Sequence, residues 1–229
     1  KEDRHGVVLA KNMVAKQTGI KTGEVYWQAK KKAPDLIEIS ADFSAYLRVS
    51  KEVRKIYERY TDRVEAFGID ECWLDLTGNA GRLADGAAVA QEIRSSVKEE
   101  IGITVSIGVS WNKIFAKLGS DMNKPDAVTE ITPENYREKV WPLPVEDLLY
   151  VGPATKKKLN IRGIRTIGQL AEAGEQYLCG FLGKWGSYLH VFANGKDGTP
   201  VQKRGEEENV KSIGNSLTNY RDLTDDEDV

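Results

Sequence analysis

The sequence predicts an α+β protein: helices covering one face of a small, mainly antiparallel sheet, followed by a small all-helical region. Three observations support this. Helical periodicity alternates with paired strand patterns across residues 41–130. After Pro142-Leu143-Pro144 the chain turns to short helical pieces punctuated by Gly152, Gly163, Gly168 and Gly174. The 229 residues, 40% hydrophobic and 30% charged, have the balance of a folded protein long enough for two or three small cores.

Val7-Val8-Leu9-Ala10 reads as a short buried strand or a helix entry, which periodicity does not separate. Gly19 and Thr22-Gly23 then break the chain up to Pro34. Tyr46, Val49, Val53, Ile56, Tyr57 and Tyr60 recur at helical spacing and predict a helix of about 18 residues. Val64-Glu65-Ala66-Phe67 and Cys72-Trp73-Leu74-Asp75-Leu76 flank Gly68-Ile69-Asp70-Glu71, a strand–turn–strand unit. A second helix carries Val89, Ile93 and Val97 on one face and stops at Gly102. Ile103, Val105, Ile107 and Val109 alternate with polar or small residues, as in a half-buried strand. A third helix turns Ile114, Phe115, Leu118 and Met122 inward and ends before Pro125. Gly195–Asn209 reads as a linker rich in Gly, Lys and Glu.

Composition excludes several classes. With 33 basic and 35 acidic residues the formal charge is −2, so a uniformly basic nucleic-acid coat is excluded, though a local basic surface is not. Cys72 and Cys179 lie 107 positions apart, and only His5 and His190 are present. That leaves no disulfide framework or ordinary zinc site, and fits a reducing compartment. No apolar run approaches the roughly 20 residues that cross a bilayer, and Lys1-Glu2-Asp3-Arg4-His5 is no signal peptide. The expectation is a cytoplasmic protein with no membrane partner. The missing initiator Met points to a start inside a larger sequence.

Three constellations could carry chemistry. In Phe67-Gly68-Ile69-Asp70-Glu71-Cys72-Trp73-Leu74-Asp75, two adjacent carboxylates sit at a strand junction. An acidic turn is the plain reading. The functional one is a Mg²⁺ site, because Mg²⁺ takes one or two carboxylates and fills its other positions with water and substrate phosphates. Asp75 is equally well a structural capper. In Ser106–Asp126 a strand runs into a helix, and Lys113, Lys117 and Asp121 follow one another by helical turns, the pattern of a solvated, salt-bridged face. Lys124, beside stiff Pro125, is a point charge suited to a phosphate. Third, Asp147–Leu159 and Ile161–Leu170 read as helix, Gly-containing hairpin and helix, with Lys156, Lys157 and Lys158 in the first turn of the second helix. Lysines there oppose the helix dipole, which an anion would relieve. Residues 144–166 carry five basic side chains against Glu146 and Asp147, a net +3 in a chain of −2.

Together these segments resemble the Y-family DNA polymerases, the translesion enzymes of the DinB/UmuC type, in order along essentially the whole chain. The resemblance implies partial fingers over residues 1–40, a palm over 41–131, a helix-hairpin-helix thumb over 132–199, and a linker with the start of a little finger over 200–229. Lys211-Ser212-Ile213-Gly214 and Arg221-Asp222-Leu223 carry that last match. It implies that Asp70 and Glu71 are catalytic and bind Mg, that Asn12, Lys16 and Lys124 contact the incoming nucleotide, and that Gly152, Ala154, Lys156 and Lys157 grip the DNA backbone. Where many relatives place Tyr and Arg on the triphosphate, this chain has Met13 and Lys16. The implied function is nucleotidyl transfer from dNTP to a primer 3′-hydroxyl, with primer–template DNA and dNTP as partners; a sliding clamp is a further partner that the residues neither require nor exclude. The family's first metal-binding Asp and its steric gate precede residue 1, so the chain alone is expected not to extend a primer. The alternatives are a non-catalytic damaged-DNA-binding module on the same fold, and a nucleotide cyclase. The basic hairpin and the absence of a Gly-Gly pair before Asp70 disfavour the cyclase.

Overall fold

The structure is a computed structural model that describes residues 6–80, 83–203 and 212–214. The described residues form two compact units, 6–43 with 212–214, and 44–203. The first unit holds helices α1 (Met13–Gln17) and α2 (Tyr26–Lys32). Its only β contact among the described residues is an antiparallel bridge between Val7 and Val25. The Val8 N–H donates to the Glu24 carbonyl at 3.0 Å, and the Tyr26 N–H to that of Gly6 at 2.8 Å. Val8, Ile20 and Ala29 make its small core, while Val7 and Leu9 are exposed. Val7–Ala10 is therefore neither strand nor helix entry; a single bridge orders it.

Helix α3 (Phe43–Tyr57), which lies in the second unit from Ser44 onward, leads into an antiparallel hairpin of β1 (Val64–Ala66) and β2 (Cys72–Leu74). The helix spans 15 residues, ending before Tyr60. A short helix α4 (Thr77–Ala80) precedes α5 (Leu83–Ile101). Val53 and Ile56 of α3 bury against Ile93 and Val97 of α5, with Leu74, Val105 and Ile107 packed alongside. Strand β3 (Ile107–Val109), helix α6 (Lys113–Met122) and strand β4 (Val128–Glu130) follow, and β3 pairs with β4 in parallel.

Two expectations are corrected here. No mainly antiparallel sheet forms among the described residues: one two-stranded sheet is antiparallel and the other parallel. The reason is the connection, since strands joined through a packed helix run parallel. The predicted strand over 103–109 also shrinks to its last three residues, and Ile103 is 41% exposed. Gly108 explains the tight seam between β3 and α6. A Cβ there would lie 1.9 Å from the Ala116 carbonyl oxygen, so only glycine lets the two backbones approach.

After β4 come α7 (Tyr136–Lys139), a 3-10 turn (Val145–Asp147), α8 (Pro153–Ile161), α9 (Ile167–Glu172), α10 (Glu175–Leu182) and α11 (Lys184–Ala193). Ile114, Phe115, Leu118 and Ile131 share one core with Leu159, Ile167, Leu170, Leu178 and Leu189, so the α/β layer and the helical layer bury apolar surface together. The segment after α11 doubles back. The Gly195 carbonyl accepts from Trp111 Nε1 at 2.9 Å and Asn112 Nδ2 at 3.3 Å, and the Gln202 N–H donates to Glu65 at 2.8 Å. No helix among the described residues is long and apolar enough to cross a membrane. Of the segments read as a further domain, Lys211 and Arg221–Leu223 lie outside the described residues, and Ser212–Gly214 has no regular structure.

Candidate active site

The β1–β2 register ends with Ala66 opposite Cys72, which leaves Phe67–Glu71 as the turn. The N–H groups of Phe67 and Gly68 donate to the Glu71 carbonyl at 2.9 and 3.4 Å, and the Phe67 and Trp73 rings meet at 4.5 Å. Helix α3 pins the turn from below. Arg54 Nη2 donates to the Gly68 carbonyl at 2.7 Å, and the Ser50 hydroxyl donates to that of Ile69. The backbone bearing Asp70 and Glu71 is thereby fixed. The neighbouring Cys72 thiol is pushed above its ordinary pKa by burial, against the pull of Arg54. Burial likewise raises Tyr57 to about 12. The Asp70 and Glu71 carboxylates push the Cys72 thiol in the same upward direction.

Helix α6 joins the carboxylate hairpin to the predicted phosphate lysine. Lys117 Nζ lies 3.0 Å from Glu71 Oε1 and 2.5 Å from Asp121 Oδ2, and Asp121 Oδ1 lies 2.6 Å from Lys124 Nζ. Burial works against the charge on Lys117, yet Asp121 and Glu71 outweigh it and its pKa rises. Burial also works against the Asp121 carboxylate, and its two lysines outweigh that and lower its pKa. Beyond Pro125, Asp126 adopts a left-handed φ of 54°, which Asp tolerates better than most residues. Its carboxylate takes Arg94 and Lys98 of α5 at 2.7 Å each, so the turn carrying Lys124 is held on both sides.

The solvated-face reading of α6 fails for two of its members. Lys113 is 8% exposed, sits 2.5 Å from Glu65 of β1, and lies over the Trp73 ring at 5.1 Å. The Lys117 side chain is only 16% exposed. Sequence spacing displays the Lys117–Asp121 pair but not the long-range partners Glu71 and Glu65. Nor does it display Ser50 and Arg54, which reach the turn from a helix 19 and 14 positions before their partners. Asp75 proves to be a capper: Oδ1 accepts the Thr77 N–H at 2.9 Å, and the Thr77 hydrogen bonds lower its pKa.

Asn12 and Lys16 lie in the first unit. Asn12 caps α1, its Oδ1 accepting the Ala15 N–H at 2.9 Å, while Lys16 is exposed in the last turn. Gly152 caps α8 with an ordinary φ of −75° and open space above its Cα; Pro153 and Ala154 start the helix. Lys156 completes the first turn and pairs with Glu146 at 2.5 Å, whereas Lys157 and Lys158 fall in later turns, not the first as expected. Lys157 is exposed beside a shallow hollow lined by Pro153, Lys156, Asn160 and Ile161.

Among the described residues no three His, Cys, Asp or Glu side chains converge as a metal cluster. Asp70 is exposed and, among the described residues, its carboxylate has no hydrogen bond or ion pair; Glu71 commits one oxygen to Lys117. Two hard carboxylates on a fixed turn suit Mg²⁺ that completes its shell with water and phosphate oxygens.

The family model described as impB/mucB/samB matches residues 1–121. DNA polymerase IV of Acetivibrio thermocellus is 58% identical over 228 residues, covering 100% of this chain and 57% of that protein. The Clostridium acetobutylicum protein of the same name is 37% identical with the same coverage. The chain thus spans little more than half the length of the curated relatives it matches. A crystal structure of DinB from Sulfolobus solfataricus superposes with a TM-score of 0.80 at 28% identity, over 86% of this chain and 59% of that one. An insertion ternary complex of Dbh DNA polymerase gives a TM-score of 0.79 at 28% identity, over 86% and 58%. The chain therefore belongs to the impB/mucB/samB family, the Y-family group that its carboxylate hairpin, strand–helix segment and Gly-Pro loop resemble.

Proposed function

We propose that the chain is part of a template-directed DNA polymerase of the translesion type, which transfers a nucleotidyl group from a dNTP to a primer 3′-hydroxyl. One observation carries the reading: the ion-pair chain Glu71–Lys117–Asp121–Lys124 brings together the two motifs assigned to metal and triphosphate. In this reading residues 1–40 serve as fingers, 41–131 as palm and 132–199 as thumb.

Asp70 and Glu71 hold Mg²⁺, with a further carboxylate that the family resemblance assigns to a preceding segment. Bound there, the metal neutralises charge on the transferring phosphate and lowers the pKa of the attacking hydroxyl. Lys117 keeps Glu71 in one orientation by holding one of its oxygens. Lys124 exchanges Asp121 for a triphosphate oxygen, and the Asp126 clamp limits where its backbone can go. Lys16 meets the triphosphate as a point charge, and Asn12, whose oxygen is committed to capping, offers its amide N–H group. On the thumb side the N–H groups of Ala154 and Thr155 begin a nine-residue helix behind the open Gly152, an arrangement that accepts a backbone phosphate, with Lys156 and Lys157 alongside.

The test is Asp70→Asn and Glu71→Gln in a protein that carries this chain with its preceding segment. Each removes a charge worth several kcal/mol to the transition state, so primer extension should fall at least about a hundredfold while duplex affinity stays within about twofold. Extension within about threefold of the parent in either variant removes the assignment.

A further inference from the structure

Helix α3 meets the carboxylate turn through Ser50 and Arg54, which lie one helical turn apart and so share a face. Val53 and Ile56 bury the helix against α5, so both donors stand on a rigid element. The Ser50 hydroxyl donates to the Ile69 carbonyl, and Arg54 Nη2 donates to the Gly68 carbonyl at 2.7 Å. These carbonyls belong to the residues immediately before Asp70. On the far side of Glu71, the Cys72 sulfur takes a hydrogen bond from the same guanidinium, which pulls the thiol pKa down against burial. One planar group thus grips the chain at both ends of Ile69-Asp70-Glu71.

The turn has its own means of closing. The Phe67 and Gly68 N–H groups donate to the Glu71 carbonyl, and three residue pairs join β1 to β2. What Ser50 and Arg54 add is the tilt of the closed turn against α3, and with it the place where both carboxylates stand. Among the described residues Arg54 pairs with no carboxylate. Its donors go to neutral acceptors, so Asp70 and the second oxygen of Glu71 stay free for a metal. Mg²⁺ demands near-ideal octahedral geometry, which makes a small tilt of its ligands costly.

We infer that Arg54 and Ser50 are positioning residues of the nucleotidyl-transfer site, which set the orientation of Asp70 and Glu71 from behind. What the carboxylates do rests on the polymerase reading; how they are held rests on the geometry alone. Lysine is no equivalent of Arg54, because a single ammonium lacks the planar fork that serves both ends of the segment.

Arg54→Met, Arg54→Lys and Ser50→Ala test this in a protein that carries the chain with its preceding segment. Mn²⁺ binding is counted by EPR without substrate, the relevant ion being the one lost in Asp70→Asn. Partners that orient metal ligands are worth about ten- to hundredfold in affinity or rate, so Arg54→Met should weaken Mn²⁺ binding and lower kcat by about that much. The KM for dNTP should stay within about threefold, because Lys16 and Lys124 are untouched. Arg54→Lys and Ser50→Ala, which each keep part of the grip, should fall between Arg54→Met and the parent, and they carry the test if Arg54→Met does not fold. A lower Tm with unchanged Mn²⁺ affinity in the folded fraction means a merely structural role and overturns the inference. So does an extending parent whose variants keep both kcat and Mn²⁺ affinity within about threefold, which leaves the polymerase reading standing. A parent that extends no primer, yet loses Mn²⁺ affinity in Arg54→Met, removes the polymerase reading and keeps the grip on the carboxylates.

Discussion

Replacing Lys113 by Met isolates the buried support of the carboxylate hairpin. The Lys113 side chain is 9% exposed and that of Glu65 17%, with Nζ and Oε2 2.5 Å apart. Removing one member of such a pair costs ~3–5 kcal/mol, because the other charge stays uncompensated. Glu65 retains the Gln202 N–H at 2.8 Å, which argues for the lower end, ~3 kcal/mol. For a chain of this length that lowers Tm by ~6–12 °C. The double variant Glu65→Leu, Lys113→Met, which has no charge to strand, should return to within ~1 kcal/mol of the parent. Urea unfolding followed by tryptophan fluorescence measures both, with the m-value as a check on compactness. A single-variant loss below ~1 kcal/mol, or additivity of the two changes within ~0.5 kcal/mol, would refute the argument.

Lys124→Ala should lower dNTP efficiency about ten- to hundredfold, since a charge-assisted phosphate contact is worth roughly 1.5–3 kcal/mol; steady-state kinetics showing a change only in primer affinity would move the residue to the DNA track. Lys156→Ala with Lys157→Ala should flatten the log–log salt slope of duplex binding by about one to two units on unrelated sequences, nearer one because Glu146 already neutralises Lys156, and an unchanged slope would return α8 to a solvated face. Lys98 and Arg94 hold the Asp126 carboxyl below its ordinary pKa of 3.8, so the stability it contributes is fully present above that value and lost as pH falls through the lower folded one; Asp126→Asn should give a shallower fall of Tm with acid below about pH 4, and parallel curves would contradict this. Gly108→Ala should destabilise by more than ~3 kcal/mol in urea melts, because its Cβ cannot share space with the Ala116 carbonyl.

Much of this molecule was legible from local pattern. The apolar stripe Ile114, Phe115 and Leu118 turns into the core as its spacing requires, and the Asp70-Glu71 turn sits between paired strands. What depends on distant partners was not legible. Ile103 and Val105 alternate like strand residues, but β4 reaches only as far as Ile107, so the ladder starts there. Lys113 has the spacing of a surface lysine, and only the fold reveals Glu65 beside it. Asp121 has Lys117 four positions before it and Lys124 three after it, so both partners are local; what spacing does not show is that one carboxylate holds the two at once. The second partner, Lys124, lies past the end of α6 and just before the turn at Pro125 and Asp126.

The doubling back of residues 195–202 has a consequence for chain length. Gly195 is moored by Trp111 and Asn112, and at φ 66° it has no room for a side chain against Trp111 and Phe115. Gln202 is moored to Glu65, the same residue that receives Lys113. Between these two points the backbone has a set span, so an inserted or deleted residue there must either bulge outward or pull on β1 and the carboxylate turn beyond it.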